Sequence, residues 1–300
     1  MKKIILGVLL LSILFGCNRE KRWEEKITVW EAPNWTSDGK VVFLEHYYVQ
    51  KWKQTATGDA QVGGSEKITV CEISNDGTGL KKLAIVKENE FNYGPCLGGI
   101  SSSSIGDWIA LSIEDWDRGE HYPVMYVIKR DGSELREVGS GRNPDFSPDT
   151  SNFVYEKTGQ GLWIMNKDGT GDKQIITDIT ITFPSWSSNS GRIAAIKHTS
   201  GEFGFLSIFD STGNLLQRDS TIEVAYPDWG PSDSNAISAN DIWFQGIIFY
   251  LTSNKQDTLQ VSSGAGLRWS PNGEYFICYG GTDGYFIIKK DNTNKWYLKP

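Results

Sequence analysis

The sequence predicts an all-β protein built from one unit that recurs about every 40 residues. In each unit a first phrase joins Pro, one further residue, an aromatic residue, a Ser/Asp/Gly turn and an apolar run. A second phrase then joins an alternating apolar strand to a turn rich in Asp, Asn and Gly. Residues 17–300 show no helical periodicity. Together the two phrases predict four short antiparallel strands per unit.

Six copies of the first phrase can be placed. A degenerate copy is placed at Pro95-Cys96-Leu97, with its register fixed only to within a few residues. One such unit cannot bury both faces of its sheet, so the units are expected to stack around a common axis. The sequence therefore predicts a six-bladed β-propeller with large aromatic side chains between the blades. The five clear copies start at Pro33, Pro144, Pro184, Pro227 and Leu267, the last without the proline.

The two ends of the repeat region predict how the ring closes. KITVW at 26–30 leads into Pro33 as the innermost strand of the first blade, and KWYLK at 295–299 is the outer strand of the last. We therefore expect every blade to be contiguous in sequence, without an exchanged terminal strand.

The repeat resembles that of the TolB-like six-bladed propellers, a WD40-like repeat that reads Pro-x-Trp-Ser-Pro-Asp-Gly before an apolar strand. The best matches are Trp269-Ser270-Pro271-Asn272-Gly273 and Trp35-Thr36-Ser37-Asp38-Gly39, and the resemblance covers residues 27–300. It implies the fold and little about function, because the matched residues build blades. TolB carries a further domain before its propeller, so the partners of TolB are not implied for this chain.

The first residues are predicted to be a targeting segment. Lys2 and Lys3 precede an apolar run that is too short to span a bilayer, and Leu14-Phe15-Gly16-Cys17 resembles the lipobox of bacterial lipoproteins. We expect a signal peptide at 1–16, acylation of Cys17, a tether at 17–26 and the propeller at 27–300. The alternative is an ordinary secretory signal with an incidental Cys17. Asn18 is not a retention signal, which favours the outer membrane in a Gram-negative cell.

Charge and cysteine content limit the partners and the chemistry. The formal net charge is −7, and it becomes about −9 without residues 1–16, which argues against nucleic acid or an anionic lipid surface as the main partner. Cys71, Cys96 and Cys278 lie in apolar runs without metal-site spacing, so we interpret them as buried small hydrophobic residues, although one disulfide is possible.

No catalytic, metal or cofactor site is predicted. The three histidines are widely separated, and no G-x-S-x-G motif or phosphate-binding glycine loop occurs. The phrase at 166–172 is similar to a calcium loop but has Ile175 where the bidentate glutamate is needed. Because the same Asp-Gly phrase recurs in other units, hairpin turns are the favoured interpretation.

Two interruptions of the repeat are the candidate binding segments, since insertions in a propeller form loops at one face. They occupy the same strand-to-strand position in blades one and two, and their candidate residues are Tyr47, Tyr48 and Trp52 at 46–67 and Trp116, Arg118, His121 and Tyr122 at 114–123. The aromatic residues of the first segment could equally pack back on the blade.

We expect a non-catalytic, membrane-anchored module that binds an envelope protein or a glycan. The alternatives are a lyase-like or glycosidase-like propeller with carboxylates at the axis, and a purely structural role in the envelope.

Overall fold

The computed structural model describes residues 21–91, 101–119, 121–188, 191–201, 203–231, 235–243, 245–253, 255–262, 266–279 and 284–298. The strands in these ranges form five antiparallel sheets, four of four strands and one of seven. Within the same ranges, no helix has the length and apolar character needed to cross a membrane.

The four-stranded sheets each consist of strands that are consecutive in the chain. The first contains β1 (Arg22–Trp35), β2 (Lys40–Thr55), β3 (Gly58–Ser74) and β4 (Lys81–Phe91). The second contains β5 (Ser101–Ile105), β6 (Trp108–Glu114), β7 (Pro123–Lys129) and β8 (Arg136–Gly139). The third contains β9 (Arg142–Phe146), β10 (Asn152–Lys157), β11 (Gly161–Asn166) and β12 (Lys173–Ile176). The last contains β20 (Leu267–Trp269), β21 (Tyr275–Tyr279), β22 (Tyr285–Lys289) and β23 (Trp296–Leu298).

The seven-stranded sheet joins two four-stranded units through one shared strand. It contains β13 (Ile181–Trp186), β14 (Arg192–Ser200), β15 (Phe203–Asp210), β16 (Leu215–Trp229), β17 (Ala236–Asp241), β18 (Gln245–Tyr250) and β19 (Lys255–Ser262). The start of β16 pairs with β15 as an outer strand, and its end pairs with β17 as an inner strand. The predicted count of six blades stays a prediction, because the described strands form five sheets.

The units are arranged as a β-propeller, as the sequence predicts. The innermost strands β1, β5, β9, β13, β16 and β20 contact one another in that order, and β20 contacts β1. Buried apolar clusters lie between consecutive units, and one of them joins Trp35 and Phe43 of the first sheet to Tyr285 of the last. Because β1–β4 and β20–β23 are each contiguous, side-chain packing closes the ring without an exchanged strand, which confirms that expectation.

The closing junction is also hydrogen-bonded. The indole N–H of Trp35 donates to the carbonyl oxygen of Arg268 at 3.0 Å, and that of Trp296 donates to the carbonyl oxygen of Asn75 at 2.9 Å. Both bonds join residues more than 200 positions apart in the sequence. They fix the position of the last unit relative to the first.

A left-handed residue precedes the proline position in each of five inner strands, where φ lies between 50° and 58°. A register shift follows it in several units, for example between Thr182 and Ser185, so the strand carries a bulge at this point. The residue before a proline normally prefers extended backbone, so this geometry depends on the surrounding structure. The five residues are Ala32, Asn143, Phe183, Tyr226 and Gly266, the last in the unit whose copy lacks the proline.

The bulge turns the side chain between the proline and the aromatic residue toward the inner strand of the next unit. The backbone N–H of Trp186 donates to Asp145 at 2.5 Å, and that of Trp269 donates to Asp228 at 2.8 Å. At the junction that lies between these two, the N–H of Trp229 donates to the hydroxyl of Ser185 at 3.2 Å. The variable residue of Pro-x-Trp is therefore an acceptor that links one inner strand to the next.

The Asp-Gly phrases form turns, as predicted. The carboxylates of Asp76, Asp131 and Asp168 each accept the backbone N–H of the residue two positions later, at 2.8 to 2.9 Å. The side-chain hydrogen bond from Thr170, with its backbone bond, also lowers the pKa of Asp168. Each carboxylate thus closes the hairpin between the third and fourth strands of its unit.

Cys71 and Cys278 are free, buried and part of the apolar clusters, which confirms their predicted packing role. Burial raises the pKa of the Cys71 thiol to about 12. Cys96 lies outside the described residues, as does Cys17.

Three boundaries differ from the prediction. The first strand begins at Arg22 instead of residue 26 or 27, because β1 follows the lengthened β2 outward. The second unit has Ser101–Ile105 as its innermost strand, so its copy of the motif was misplaced at Pro95-Cys96-Leu97. The segment 46–67 is not a loop, since all but its two-residue turn belongs to β2 and β3.

We expect Asp228→Ala to lower the free energy of unfolding by about 1–3 kcal/mol, because the Trp269 N–H and Arg268 both lose their acceptor. Urea unfolding measures the loss, and amide hydrogen exchange at Trp269 should accelerate in parallel. Asp228→Asn keeps an acceptor oxygen and should recover most of the stability. An Asn variant that is as unstable as the Ala variant would contradict this role.

Candidate functional site

The loop between β6 and β7, described at residues 115–119 and 121–122, is held by its own backbone hydrogen bonds. The N–H of Asp115 donates to the carbonyl of Tyr122 at 2.7 Å, which closes the loop at its base. Further turns place the N–H of Arg118 on the carbonyl of Asp115, and Gly119 adopts a φ of 144° that favours glycine. The loop is therefore a compact surface feature fixed at both ends.

A buried glutamate anchors the far side of the loop. Glu114, at the end of β6, places one carboxylate oxygen 2.7 Å from Nδ1 of His121 and the other 2.8 Å from Nη2 of Arg142. Arg142 also donates to the carbonyl oxygen of His121 at 3.0 Å. Since Arg142 belongs to β9, this pairing attaches the loop of the second unit to the third.

Arg118 is engaged within the protein and presents little free hydrogen-bonding capacity. Its guanidinium makes two parallel bonds to Glu137, at 2.8 and 2.7 Å, and its Nε lies 3.1 Å from Asp115. This bidentate geometry is the strong form of an arginine–carboxylate pair. Arg118 therefore supports the loop, and its binding role stays a prediction.

Three of the predicted residues form an exposed aromatic surface. Trp116 is 40% exposed and Tyr122 is 39% exposed, and the rings of Trp116 and His121 lie 4.7 Å apart. Because the backbone and the ion pairs hold the loop, these rings are presented in one arrangement. We call Trp116, His121 and Tyr122 the aromatic surface.

The residues predicted from the other segment are placed differently. Tyr48 is only 7% exposed, so it offers almost no surface to a ligand, and it packs against His46. Tyr47 is half-buried. Trp52 is also half-buried and stacks on Trp23, with ring centroids 6.4 Å apart. The aromatic residues of this segment thus stabilise the lengthened strands.

A row of alternating charges crosses the first sheet and ends at the loop. His46 on β2 is fully buried, and its two ring nitrogens lie 3.7 Å from Glu31 on β1 and 3.1 Å from Glu66 on β3. Glu66 lies 3.3 Å from Nζ of Lys87 on β4. Lys87 then reaches the carboxylate of Asp115 at 2.6 Å. We call Glu31, His46, Glu66, Lys87 and Asp115 the charged row.

The charged row places each buried ionic group next to a group of opposite sign. Burial by itself would lower the pKa of His46, but the nearby carboxylates of Glu31 and Glu66 outweigh it, and the pKa is raised. Lys87 lies 3.4 Å from Asp117 as well, so one ammonium holds two carboxylates of the loop. The two interrupted segments are therefore joined at the base of the long strands.

The sequence does not predict Glu31, His46, Glu66 or Lys87 as site residues. Of the charged row, only Asp115 lies in the predicted loop. Glu66 and Lys87 lie in strands where charged residues are ordinary on an exposed face. Only the pairing of β3 with β4, and the contact of β4 with the next unit, brings them to Asp115. No local pattern in the sequence signals such a contact.

At the axis, a cavity of about 30 Å³ is lined by side chains that include Asn34, Asn143, Asp145 and Arg268. Asp145 and Asp228 approach this region, but both accept a tryptophan N–H from the next unit. Burial raises the pKa of Asp228 despite the nearby Arg268, and burial likewise raises the pKa of Glu156.

The described part of the chain contains no group of three or more His, Cys, Asp or Glu side chains that could hold a metal ion. The Asp and His residues of the aromatic surface and the charged row are instead paired with Lys, Arg or Glu.

The architecture defines the class of protein as a β-propeller, and comparison with solved structures agrees. An oligogalacturonate lyase in complex with manganese aligns at 11% identity with a TM-score of 0.51, over 89% of this chain and 90% of the lyase. The WD40 domain of Pan2 from Neurospora crassa aligns at 10% identity with a TM-score of 0.51, over 91% and 92% of the two chains. Identities this low show a shared fold alone.

A protein described as TolB from Agrobacterium tumefaciens also aligns, at 13% identity with a TM-score of 0.40, over 69% of this chain and 91% of TolB. No protein-family model matches the chain, and no curated protein matches its sequence.

We expect the stability difference between the wild type and His46→Gln to depend on pH. The folded-state pKa of His46 is raised above 6.5, so the charged imidazolium stabilises the fold fully below pH 6.5, and this contribution is lost as the pH rises through the folded pKa. The difference in unfolding free energy, measured in urea at a series of pH values, should be largest near pH 6 and shrink upward.

Glu66→Gln provides the control, because it removes one of the two carboxylates that raise the pKa. In that background the pH-dependent loss should move to lower pH. A difference between the wild type and His46→Gln that stays constant with pH would contradict the raised folded-state pKa of His46.

Proposed function

We propose that the chain is a membrane-anchored lipoprotein whose β-propeller is a non-catalytic binding module of the cell envelope. The aromatic surface at 115–122 is the part of it that contacts an envelope protein or a glycan. The observation that carries this proposal is the exposure of Trp116 and Tyr122 on a loop that is fixed in one arrangement by ion pairs.

Rigid exposed aromatic rings suit recognition for two physical reasons. Tryptophan and tyrosine supply a large contact area and a polar group, and they are enriched among the residues that dominate binding energy. A loop that is already ordered also loses little conformational entropy when a partner binds. The pairing of Glu114 with His121 and Arg142, and of Lys87 with Asp115, provides that order.

The membrane anchor rests on the sequence. The pattern Leu14-Phe15-Gly16-Cys17 supports export and acylation at Cys17, and acyl chains hold a protein at a membrane without a spanning helix. In a Gram-negative cell, Asn18 favours transport onward to the outer membrane. The aromatic surface would then meet components of the envelope at that membrane.

The enzyme alternative has less support from the described geometry. A lyase or glycosidase of polysaccharides needs an open pocket with carboxylates available for proton transfer. Here a cavity at the axis is lined in part by Asn34, Asn143 and Arg268. Its neighbouring carboxylates Asp145 and Asp228 already accept hydrogen bonds that link the units. These observations favour binding over catalysis.

We expect the double variant Trp116→Ala and Tyr122→Ala to lose capture of the partner. Crosslinking of the full-length protein in its native membranes, read out by mass spectrometry, identifies what is joined near the loop in the wild type. Truncation of central aromatic contacts costs about 2 kcal/mol or more each, which weakens binding at least about 30-fold.

Trp243→Ala is the matched control, because Trp243 is 74% exposed but lies in another unit. Its crosslinks should equal those of the wild type. Capture that survives the double variant, or that is lost only with Trp243→Ala, would overturn the assignment of the aromatic surface. Glycan-array binding by the same variants tests the glycan form of the proposal.

A further inference from the structure

The strands β2 and β3 project well beyond the rest of the ring. They pair from Lys40 and Ser74 out to Thr55 and Gly58, whereas β6 and β7 pair only from Trp108 to Glu114. At about 3.3 Å per residue, the nine additional residues in β2 carry the hairpin about 30 Å further. We call residues 47–55 of β2, with their partners at 22–28 on β1 and 58–67 on β3, the extension.

A close contact of Gly64 marks the point where the fourth strand stops following the other three. The fourth strand ends at Phe91, whose ring packs directly on the backbone of Gly64, so a Cβ there would lie 2.4 Å from the ring. Beyond this point three strands continue without the fourth. The stacked pair of Trp23 and Trp52, with an interplanar angle of 12°, then joins β1 to β2 near the outer end.

The start of the chain is fixed to the tip of the extension. Arg22 pairs with Lys53, and the backbone N–H of Gln54 donates to the carbonyl oxygen of Lys21 at 2.8 Å. Cys17 precedes Lys21 by four residues, which span at most about 14 Å. Acyl chains on Cys17 would therefore enter a bilayer within about 14 Å of the tip.

The side chains at the tip suit the headgroup layer of a bilayer. Lys21 and Arg22 are exposed and Lys53 is half-buried, while the turn at 54–59 is exposed and polar, with Asp59 as its one acidic residue. Basic side chains can pair with lipid phosphates, and tryptophans near lysines are typical of the membrane–water interface.

We propose that the extension is a spacer that docks its tip on the phospholipid headgroups and turns the aromatic surface toward the membrane. The turns between second and third strands, including 56–57, 115–122 and 242–243, leave the same face of a propeller, because every unit has the same strand order from the axis outward. The inference rests on the proposed function, since it needs acylation at Cys17.

The overall negative charge favours a propeller that lies at a distance from the lipid headgroups. A formal net charge of about −9 for residues 17–300 is repelled by anionic headgroups, whereas the tip carries Lys21, Arg22 and Lys53. The extension would leave a gap of up to about 30 Å between the bilayer and the propeller. The partner of the aromatic surface is then the exposed part of a component that is itself embedded in, or anchored to, the same membrane.

The first test measures which face lies near the lipid. Full-length acylated protein carrying Ala56→Cys or Lys290→Cys is labelled with a fluorophore and reconstituted into phosphatidylcholine vesicles that contain a headgroup nitroxide lipid. Residue 290 lies in a turn of the opposite face, and the parent chain labelled identically gives the background from native cysteines. We expect quenching at position 56 to exceed that at position 290 at least about threefold, since nitroxide quenching is confined to short range. Equal quenching overturns the proposal.

The second test changes the length of the spacer. Replacing residues 53–60 by Asn-Gly joins Trp52 to Gln61 through a two-residue hairpin turn and shortens the extension by about 10 Å. A label at Trp243→Cys should then transfer excitation energy more efficiently to an acceptor-labelled headgroup lipid than in the parent, because energy transfer reports distances longer than nitroxide quenching does. Unchanged transfer in a variant that circular dichroism shows to be folded overturns the spacer.

The intact mass of the mature protein separates the two levels of proposal. An unmodified Cys17 overturns the anchor and the spacer together. An acylated chain in which positions 56 and 290 are quenched equally overturns the spacer alone and leaves the proposed function standing. Repeating the measurement with added phosphatidylglycerol shows whether the basic tip responds to anionic lipid.

Discussion

The hydrogen bond from a tryptophan backbone N–H to the acceptor side chain of the preceding unit is the constraint on which the ring depends. It requires the bulge with a left-handed residue before the proline, because that bulge rotates Asp145, Ser185 or Asp228 toward the next inner strand. It also requires an aromatic residue at the following position to fill the wedge between the sheets. Pro-x-Trp therefore recurs in the sequence because the same contact is made at successive junctions.

Stability that is distributed over such junctions tolerates additions elsewhere. Consecutive units contact one another mainly through their strands, although the turn residue Asn75 also takes part in closing the ring. Long insertions in turns add only a slowly growing entropic cost. The lengthening of β2 and β3 and the loop at 115–122 both occur at such turns, which explains why the candidate site lies there.

Much of the fold could be predicted from the sequence, and the reason is local. The anchors Trp35, Trp186, Trp229 and Trp269, and the Asp-Gly turns, act within a few residues of where they stand. The second unit was misplaced because Ile105 occupies the position that an aromatic residue fills elsewhere, so its strand carries no marker. The sequence predicts a loop at 46–67 because the segment is polar and rich in glycine. In the structure its strands form backbone hydrogen bonds to one another and so need no buried face.

The candidate site could be predicted only in part, because its support is long-range. The sequence predicts Trp116, His121 and Tyr122 as binding residues in an interruption of the repeat, and the structure places the rings of Trp116 and His121 4.7 Å apart and leaves Tyr122 exposed. The charged row that holds them joins residues from four strands of one unit and the loop of the next. Residues 15 to 28 positions apart meet there, and their meeting depends on the register of the strands between them.

The charges of the loop are largely neutralised before any partner arrives. Asp115 and Asp117 lie within reach of Lys87, Glu137 is paired with Arg118, and Glu114 with Arg142. An acidic protein thus presents a local surface whose carboxylates are engaged and whose rings are exposed. Long-range electrostatic attraction is screened within about 10 Å at ordinary ionic strength and contributes little at such a surface. Recognition there must come from the shape and contact area of the rings, and so from the rigidity that the paired charges provide.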